Sequence, residues 1–424
     1  MLNDHIRYID NELYCDAIAI DDIIAQTGTP AYIYSLPRAL ANLRRIQSAF
    51  APLNAHIHYS AKANGNLALL RTLVKAGAGI DCVSGGEVFR ALKAGCPPEN
   101  IVLAGVGKTA EDLRYAVEQR LGWINIENVA ECAIIDTYAA AMGAKQRVAL
   151  RLNPDVAANT IRQIATGHGG TKFGLSADAI TALLDQHANY PHLDFAGIHV
   201  HIGSQLGDTA ATEQAVLAAR AIAQRYPSIT TLDIGGGLPV AYRPDTKLPD
   251  PDAFAQALAP LVSGYEVILE PGRSIIADAG ILVAQVLYTK DHGGQHFIIL
   301  DTGMTELIRP ALYDAHHEIV PLVKPSPPAP LPSGEGLADS VRAVEIVGPV
   351  CETTDTLAHN RALPPLAPGD HVAILTAGAY GFVMASNYNA RPRPPEVVIE
   401  PDGNTWRVAR RRDTWGDLVA SELE

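Results

Sequence analysis

From about residue 56 the chain alternates two hydrophobic rhythms. Short apolar runs of strand length are separated by segments whose apolar residues recur at helical spacing. The runs are HIHYSAK (56–62), GIDCVSG (79–85), IVLAG (101–105), WINIE (123–127), VALRLN (148–153), FAGIHVHIG (195–203), TTLDIGGG (230–237) and YEVILEPGR (265–273). Between them, NLALLRTLVKAG and GGEVFRALKAG each end at glycine, the usual stop for a helix. Buried parallel strands read as near-continuous apolar runs, so the pattern is a βα repeat. Eight strands, each followed by a helix, is the number that closes a (β/α)8 barrel; an open doubly wound sheet more often stops at five or six. The expected fold is α/β, a TIM-like barrel over residues 31–274.

After Arg273 the rhythm changes. FIILDTGM (297–304), AVEIVGPVC (343–351), HVAILTAGAY (371–380) and PEVVIE (395–400) are strand-like with few helical patterns between them. They predict a separate C-terminal β domain over residues 275–424. Strand-like ELYCDAIAI and PAYIYS precede the barrel, and residues 1–30 are expected to pair with that β domain. KPSPPAPLPSGEG (324–336) is too rich in Pro, Ser and Gly to pack, which predicts a surface loop near 324–340.

Composition narrows the function. A length of 424 residues suits two domains, and a net charge of −13 argues against nucleic acid or an anionic membrane as partner. The cysteines, Cys15, Cys82, Cys96, Cys132 and Cys351, are odd in number, with no C-x-x-C pair, which suggests neither a disulfide framework nor a metal site. MLNDHIRYID has no apolar core of a signal peptide, and no run of about 18 apolar residues occurs. A soluble, cytoplasmic protein acting on a small molecule is expected.

In a (β/α)8 barrel, ligands sit at the C-terminal ends of the strands, and there the chain places unusual residues. Lys62 ends the first run between Ala61 and Ala63, which leave room for a flat ring; the plainer reading is a surface lysine. Asp81, Ser84 and Glu87 end the second, Arg151 and Asn153 the fifth, and His201, Gly203 and Ser204 the sixth. Gly235, Gly236 and Gly237 could admit backbone N–H groups to an anion such as phosphate, with Gly272 and Arg273 finishing the cradle; alone they would mark a tight strand-to-helix turn. Glu270 is either an ion-pair partner for an arginine such as Arg273 or a carboxylate that keeps a pyridine nitrogen protonated. His201 is either a core histidine or a flat ring stacked on a cofactor.

In chain order, YSAKAN, DCVSGGE, RLNPDV, HVHIGSQ, DIGGG, EPGR, GPVCE and AGAY resemble the motifs of the barrel-type pyridoxal-phosphate decarboxylases, most closely those acting on diaminopimelate. The resemblance runs from Tyr59 to Glu396. It implies pyridoxal 5'-phosphate as cofactor, with Lys62 as the lysine that carries it and His201 as the ring stacked on it. It also implies that Glu270 is the partner of the pyridine nitrogen. Asp81, Ser204, Gly235, Gly236, Gly237, Gly272, Arg273 and Tyr380 match other positions around the cofactor. Cys351 is similar to the proton donor of the family, which in relatives comes from the partner subunit, so a homodimer with shared sites is implied.

The same resemblance bears on the substrate. Diaminopimelate carries a second carboxylate and a second ammonium, which call for a cation and an anion or hydroxyl at the far end. Arg273, Arg309, Tyr313, Glu352 and Tyr380 match the residues that bind substrate there; from spacing alone, Arg309 reads as half of a surface ion pair. Decarboxylases of ornithine or lysine usually carry aspartate after the cysteine, so Glu352 favours diaminopimelate, yielding L-lysine and carbon dioxide. Decarboxylation of another basic or modified amino acid and a non-catalytic regulatory relative are the alternatives. A racemase is disfavoured by Glu270, and a simple phosphate-binding barrel leaves Cys351 and Glu352 unexplained. The chain departs from the family at Ile161-Arg162-Gln163 and in the proline-rich insertion.

Overall fold

The computed structural model describes residues 1–156, 167, 170–324 and 342–423. The departure at residues 161–163 and nearly all of the proline-rich stretch therefore lie outside the described residues. Two compact units emerge: Leu40–Val240 with Lys247–Ile275, and Met1–Ala39 with Ala241–Thr246 and Ile276–Glu424.

The first unit is a closed barrel of eight parallel strands in chain order: Ala55–Ser60, Gly79–Cys82, Ile101–Leu103, Trp123–Ile126, Gln146–Leu152, Leu193–Val200, Thr231–Asp233 and Glu266–Leu269, the last pairing with the first. Each corresponds to one of the apolar runs. Helices follow where the 3.6-residue period predicts them, as in Leu67–Lys75 and Gly85–Lys93. Their starts are set by side chains: Asn66 accepts the Ala68 N–H, and Ser84 accepts the Glu87 N–H. The Glu87 carboxylate in turn takes the N–H of Val83, just before the N-cap. A cluster of Val102, Trp123, Ala149, Ala196 and Ile268 fills part of the interior. Gly197 permits it: a Cβ there would lie 3.1 Å from both Ala149 and Trp123.

The second unit is mostly sheet. Its spine is Gly280–His292, which pairs with Gln295–Leu300, His371–Ile374 and Ala31–Ser35; Ala31–Ser35 also pairs with Glu396–Ile399. Ala31–Ser35, which the boundary at residue 30 assigns to the barrel, is thus a central strand of the β unit, and the division falls at Ala39/Leu40. The run AYIYS, read from the sequence as a strand preceding the barrel, is buried at every position, as a strand covered on both faces should be. Residues 6–19 form a three-stranded sheet whose Ile6, Leu13 and Cys15 join Ile33, Ile281, Val283 and Val397 in one core. Among the described residues, no helix is long and apolar enough to cross a membrane.

Candidate active site

Register within the barrel decides which side chains meet at its rim. Partners in a parallel pair project to the same side of the sheet; Ser60 pairs with Asp81, and His199 with Asp233. Lys62 Nζ donates to Asp81 Oδ2 at 3.1 Å, and Ser60 Oγ lies 2.7 Å from the same oxygen. The lysine side chain is 34% exposed and that of Asp81 0%, so the amine reaches out from a buried carboxylate instead of lying on the surface. Burial and the Glu270 charge push the Asp81 carboxyl up, against the pull of Lys62.

Glu270 is buried at the end of the eighth strand, and its Oε2 lies 3.5 Å from His199 Nε2, not aligned as a hydrogen bond. Asn125 Nδ2 donates to Asp233 at 3.1 Å and approaches Glu270 at 3.4 Å. Burial alone would push Glu270 up; His199, Lys62 and a hydrogen bond from Asp233 outweigh it and hold the carboxyl well below the usual range. Burial and the Glu270 charge push Asp233 well up, so Asp233 keeps the proton and Glu270 is the anion. The alternative of an ion pair between Glu270 and Arg273 gives way to this cluster.

His201 Nδ1 accepts the Gly236 N–H at 3.1 Å. Burial, then the charges of Lys62 and Arg151, hold the ring well below the ordinary histidine range, so it is neutral. Gly235 and Gly237 take φ of +66° and +95°, and a Cβ on Gly235 would lie 2.6 Å from His201 Nδ1. A Cβ on Gly236 would meet the Glu270 carbonyl at 2.3 Å. These glycines do not form a tight strand-to-helix turn, since the next helix begins only at Pro251. Arg273 Nε and Nη2 both donate to Ser204 Oγ at 3.2 Å, and a Cβ on Gly272 would press on Ala63 and Ser60 at 3.0 Å.

The barrel unit thus holds Lys62, Asp81, His201, Ser204, Gly235, Gly236, Gly237, Glu270, Gly272 and Arg273 at or just beyond the C-terminal ends of its strands. The other predicted residues lie in the β unit. Arg309 opens a short helix ending at the half-buried Tyr313; it is 6% exposed and donates to His317 Nε2 at 2.8 Å, which is not a surface ion pair. Cys351 is exposed, its Sγ 3.4 Å from Asn389 Oδ1. The exposed Glu352 accepts hydrogen bonds from Thr354 and Tyr388. Tyr380 adopts a left-handed backbone, φ +56°.

Several polar groups were not singled out from the sequence: Ser60, Asn125, His199 and Asp233. Their signal is a polar residue inside an otherwise apolar barrel run, as in GIHVH and TLDIG. A second buried network holds Arg151, expected at the end of the fifth strand, on Glu127, and Lys108 on Glu131 at 3.1 Å; Lys108, Glu127 and Glu131 were not singled out.

By chemistry the rim fits pyridoxal phosphate. It offers an amine for the aldehyde, an anionic carboxylate for the ring nitrogen and a neutral imidazole for the flat face. Glycines whose absent side chains leave room, with Ser204 and Arg273, suit the phosphate. Asp81 Oδ1 and Asn125 Oδ1 are buried polar atoms with no hydrogen-bond partner among the described residues.

Residues 38–277 match the family model of the pyridoxal-dependent decarboxylase pyridoxal-binding domain. Over full length the chain is similar to the diaminopimelate decarboxylase of Aquifex aeolicus, at 39% identity over 100% of this chain and 98% of that one. The enzyme of the same name from Zymomonas mobilis is 41% identical over 97% and 96%. The structure resembles that of diaminopimelate decarboxylase from M. jannaschii in co-complex with L-lysine, with a TM-score of 0.91 at 31% identity over 100% and 98% of the two chains. Matching throughout its length and carrying a rim suited to the cofactor, the chain belongs to the diaminopimelate decarboxylases, carboxy-lyases that use pyridoxal phosphate.

Proposed function

We propose that this protein removes one carboxylate of meso-2,6-diaminopimelate as carbon dioxide and releases L-lysine. The observation that carries the chemistry is that one barrel rim holds both an outward-reaching amine, Lys62 on Asp81, and a buried anion, Glu270 beside His199. Pyridoxal phosphate, when bound, supplies a protonated ring that accepts the electrons left by the departing carboxylate.

Lys62 Nζ would carry the cofactor. Glu270, kept anionic by its neighbours, would keep a proton on the ring nitrogen. His201, neutral and fixed by the Gly236 N–H, would receive the flat ring. Gly235, Gly236, Gly237, Gly272, Ser204 and Arg273, with Tyr380, hold the phosphate. Cys351 Sγ delivers the proton that replaces the lost carboxylate. Arg309, Tyr313 and Glu352, with Arg273 and Tyr380, hold the far end of the substrate, whose carboxylate survives in L-lysine.

A homodimer follows from this reading, each subunit lending Cys351 and Glu352 to the other. The exposure of both residues and of the neighbouring Tyr388, 47% exposed, supports it. The unpaired cysteines support a reducing, cytoplasmic setting.

The test is parallel incubation of the holoenzyme with meso-diaminopimelate, L-lysine, L-ornithine and L-arginine, scoring carbon dioxide. Release from diaminopimelate alone is expected. Release only from ornithine or arginine would overturn the substrate, and release from none would overturn the activity.

A further inference from the structure

Arg309 is oriented by its own unit before any ligand arrives. His317 is 1% exposed, and its Nδ1 lies 3.0 Å from the Leu375 carbonyl oxygen. A carbonyl can only accept, so Nδ1 carries the hydrogen and Nε2 presents a lone pair. Arg309 Nη1 donates to that lone pair at 2.8 Å. The guanidinium also lies over the ring of Tyr242, 4.8 Å from its centroid. Tyr242 and His317 meet edge to face, with centroids 5.4 Å apart and planes at 84°. One nitrogen is thus pinned by an imidazole and the flat face is backed by a phenol ring.

We propose that His317 and Tyr242 are positioning residues that fix the plane of the Arg309 guanidinium, and through it the preference for substrates carrying a carboxylate at the far end. This rests on the reading of Arg309 as an anchor for that carboxylate. A two-point grip on a carboxylate demands a set orientation of the guanidinium, and a free arginine loses several rotors on adopting one. Holding it in advance removes that cost from binding, and the aromatic face holds the cation without competing for its remaining N–H donors. Burial and the Arg309 charge keep His317 well below the ordinary histidine range, so the acceptor persists at neutral pH.

The experiment compares two inhibitors of the holoenzyme: L-lysine, which has one carboxylate, and 1,5-diaminopentane, which has none. The ratio of their inhibition constants reads carboxylate recognition alone. His317→Phe keeps the ring and removes the acceptor; it should shrink the ratio about ten-fold and raise KM for meso-diaminopimelate far more than it lowers kcat. His317→Gln, which restores an acceptor, should recover part of the ratio. Tyr242→Leu, at a half-buried position, should act in the same direction and serves if His317→Phe does not fold. In an Arg309→Met background, His317→Phe should cost nothing further, because it acts through the missing guanidinium. An unchanged ratio in His317→Phe and Tyr242→Leu, or additive losses in the double variant, overturns the positioning role. An unchanged ratio in Arg309→Met overturns the underlying assignment of Arg309 and the proposal with it.

Discussion

Glu270 and His199 stand 3.5 Å apart, carboxylate to imidazole, with side chains only 3% and 1% exposed. Asp233, in register with His199 on the adjacent strand, joins them. Two carboxyls so close in a medium of low dielectric cannot both ionise, and their surroundings decide which one keeps the proton. Here Asp233 keeps it and Glu270 carries the charge.

Glu270→Gln preserves shape and removes that charge. Carbon dioxide release should fall about 10²–10³-fold, the scale of losing one preorganised electrostatic group. Steady-state kinetics beside thermal unfolding checks this; a loss of activity explained by a lower Tm would remove Glu270 from the chemistry.

Lys62→Ala should abolish both the fixation of cofactor by borohydride and turnover, since among the described residues Lys62 is the amine bonded to Asp81. Mass spectrometry of the reduced protein gives the first readout. Measurable turnover in the variant would contradict the assignment.

Cys351→Ser keeps a small polar group but replaces the thiol with a much weaker acid. Turnover should drop about 10²-fold, the scale of a lost proton-transfer group, while cofactor affinity changes little. Fluorescence titration with pyridoxal phosphate supplies the comparison, and equal damage to both would count against a proton-donating role.

Gly235→Ala combines a left-handed backbone with a Cβ 2.6 Å from both His201 Nδ1 and the Val200 carbonyl oxygen. Strain and overpacking together should cost about 2–4 kcal/mol. Chemical denaturation would show it; Gly293→Ala, also at positive φ but with nothing within 4 Å, should cost less.

Acid should weaken the fold. His58 is fully buried and burial pushes it down to about 4 from an ordinary value of 6.5. Below pH 6.5 the unfolded chain takes up a proton that the folded chain refuses, so stability is full above that value and declines as pH falls towards 4. The contribution is about 3 kcal/mol, to which His201 and His317 add with the same sign. Urea unfolding across this range should show the decline, and His58→Leu should make it shallower; an unchanged slope would refute the assignment.

Much of this architecture was legible in advance because it depends on periodicity. Each barrel strand is a short apolar run, and helices such as Leu67–Lys75 follow at helical spacing, so their count and order could be read directly. Ala31–Ser35 was legible as a strand, but the boundary at residue 30 gave it to the barrel, because a strand buried on both faces looks the same whichever sheet it joins. The candidate residues Lys62, His201 and Glu270 stood out through motifs, whereas His199 and Asp233, equally close to the site, lay inside apolar runs.

The repeat, the polar ends of the strands and the family can all be read from the order of residues. The ionisation of those ends cannot, because it is set by the folded barrel and β unit. Tertiary structure set Asp233 against Glu270, joined Lys62 to a buried Asp81, and turned Arg309 from an expected surface charge into a guanidinium held by His317 and Tyr242. The physical reason is that a proton's location depends on burial and on neighbours from distant strands, and neither is written in the order of residues along the chain.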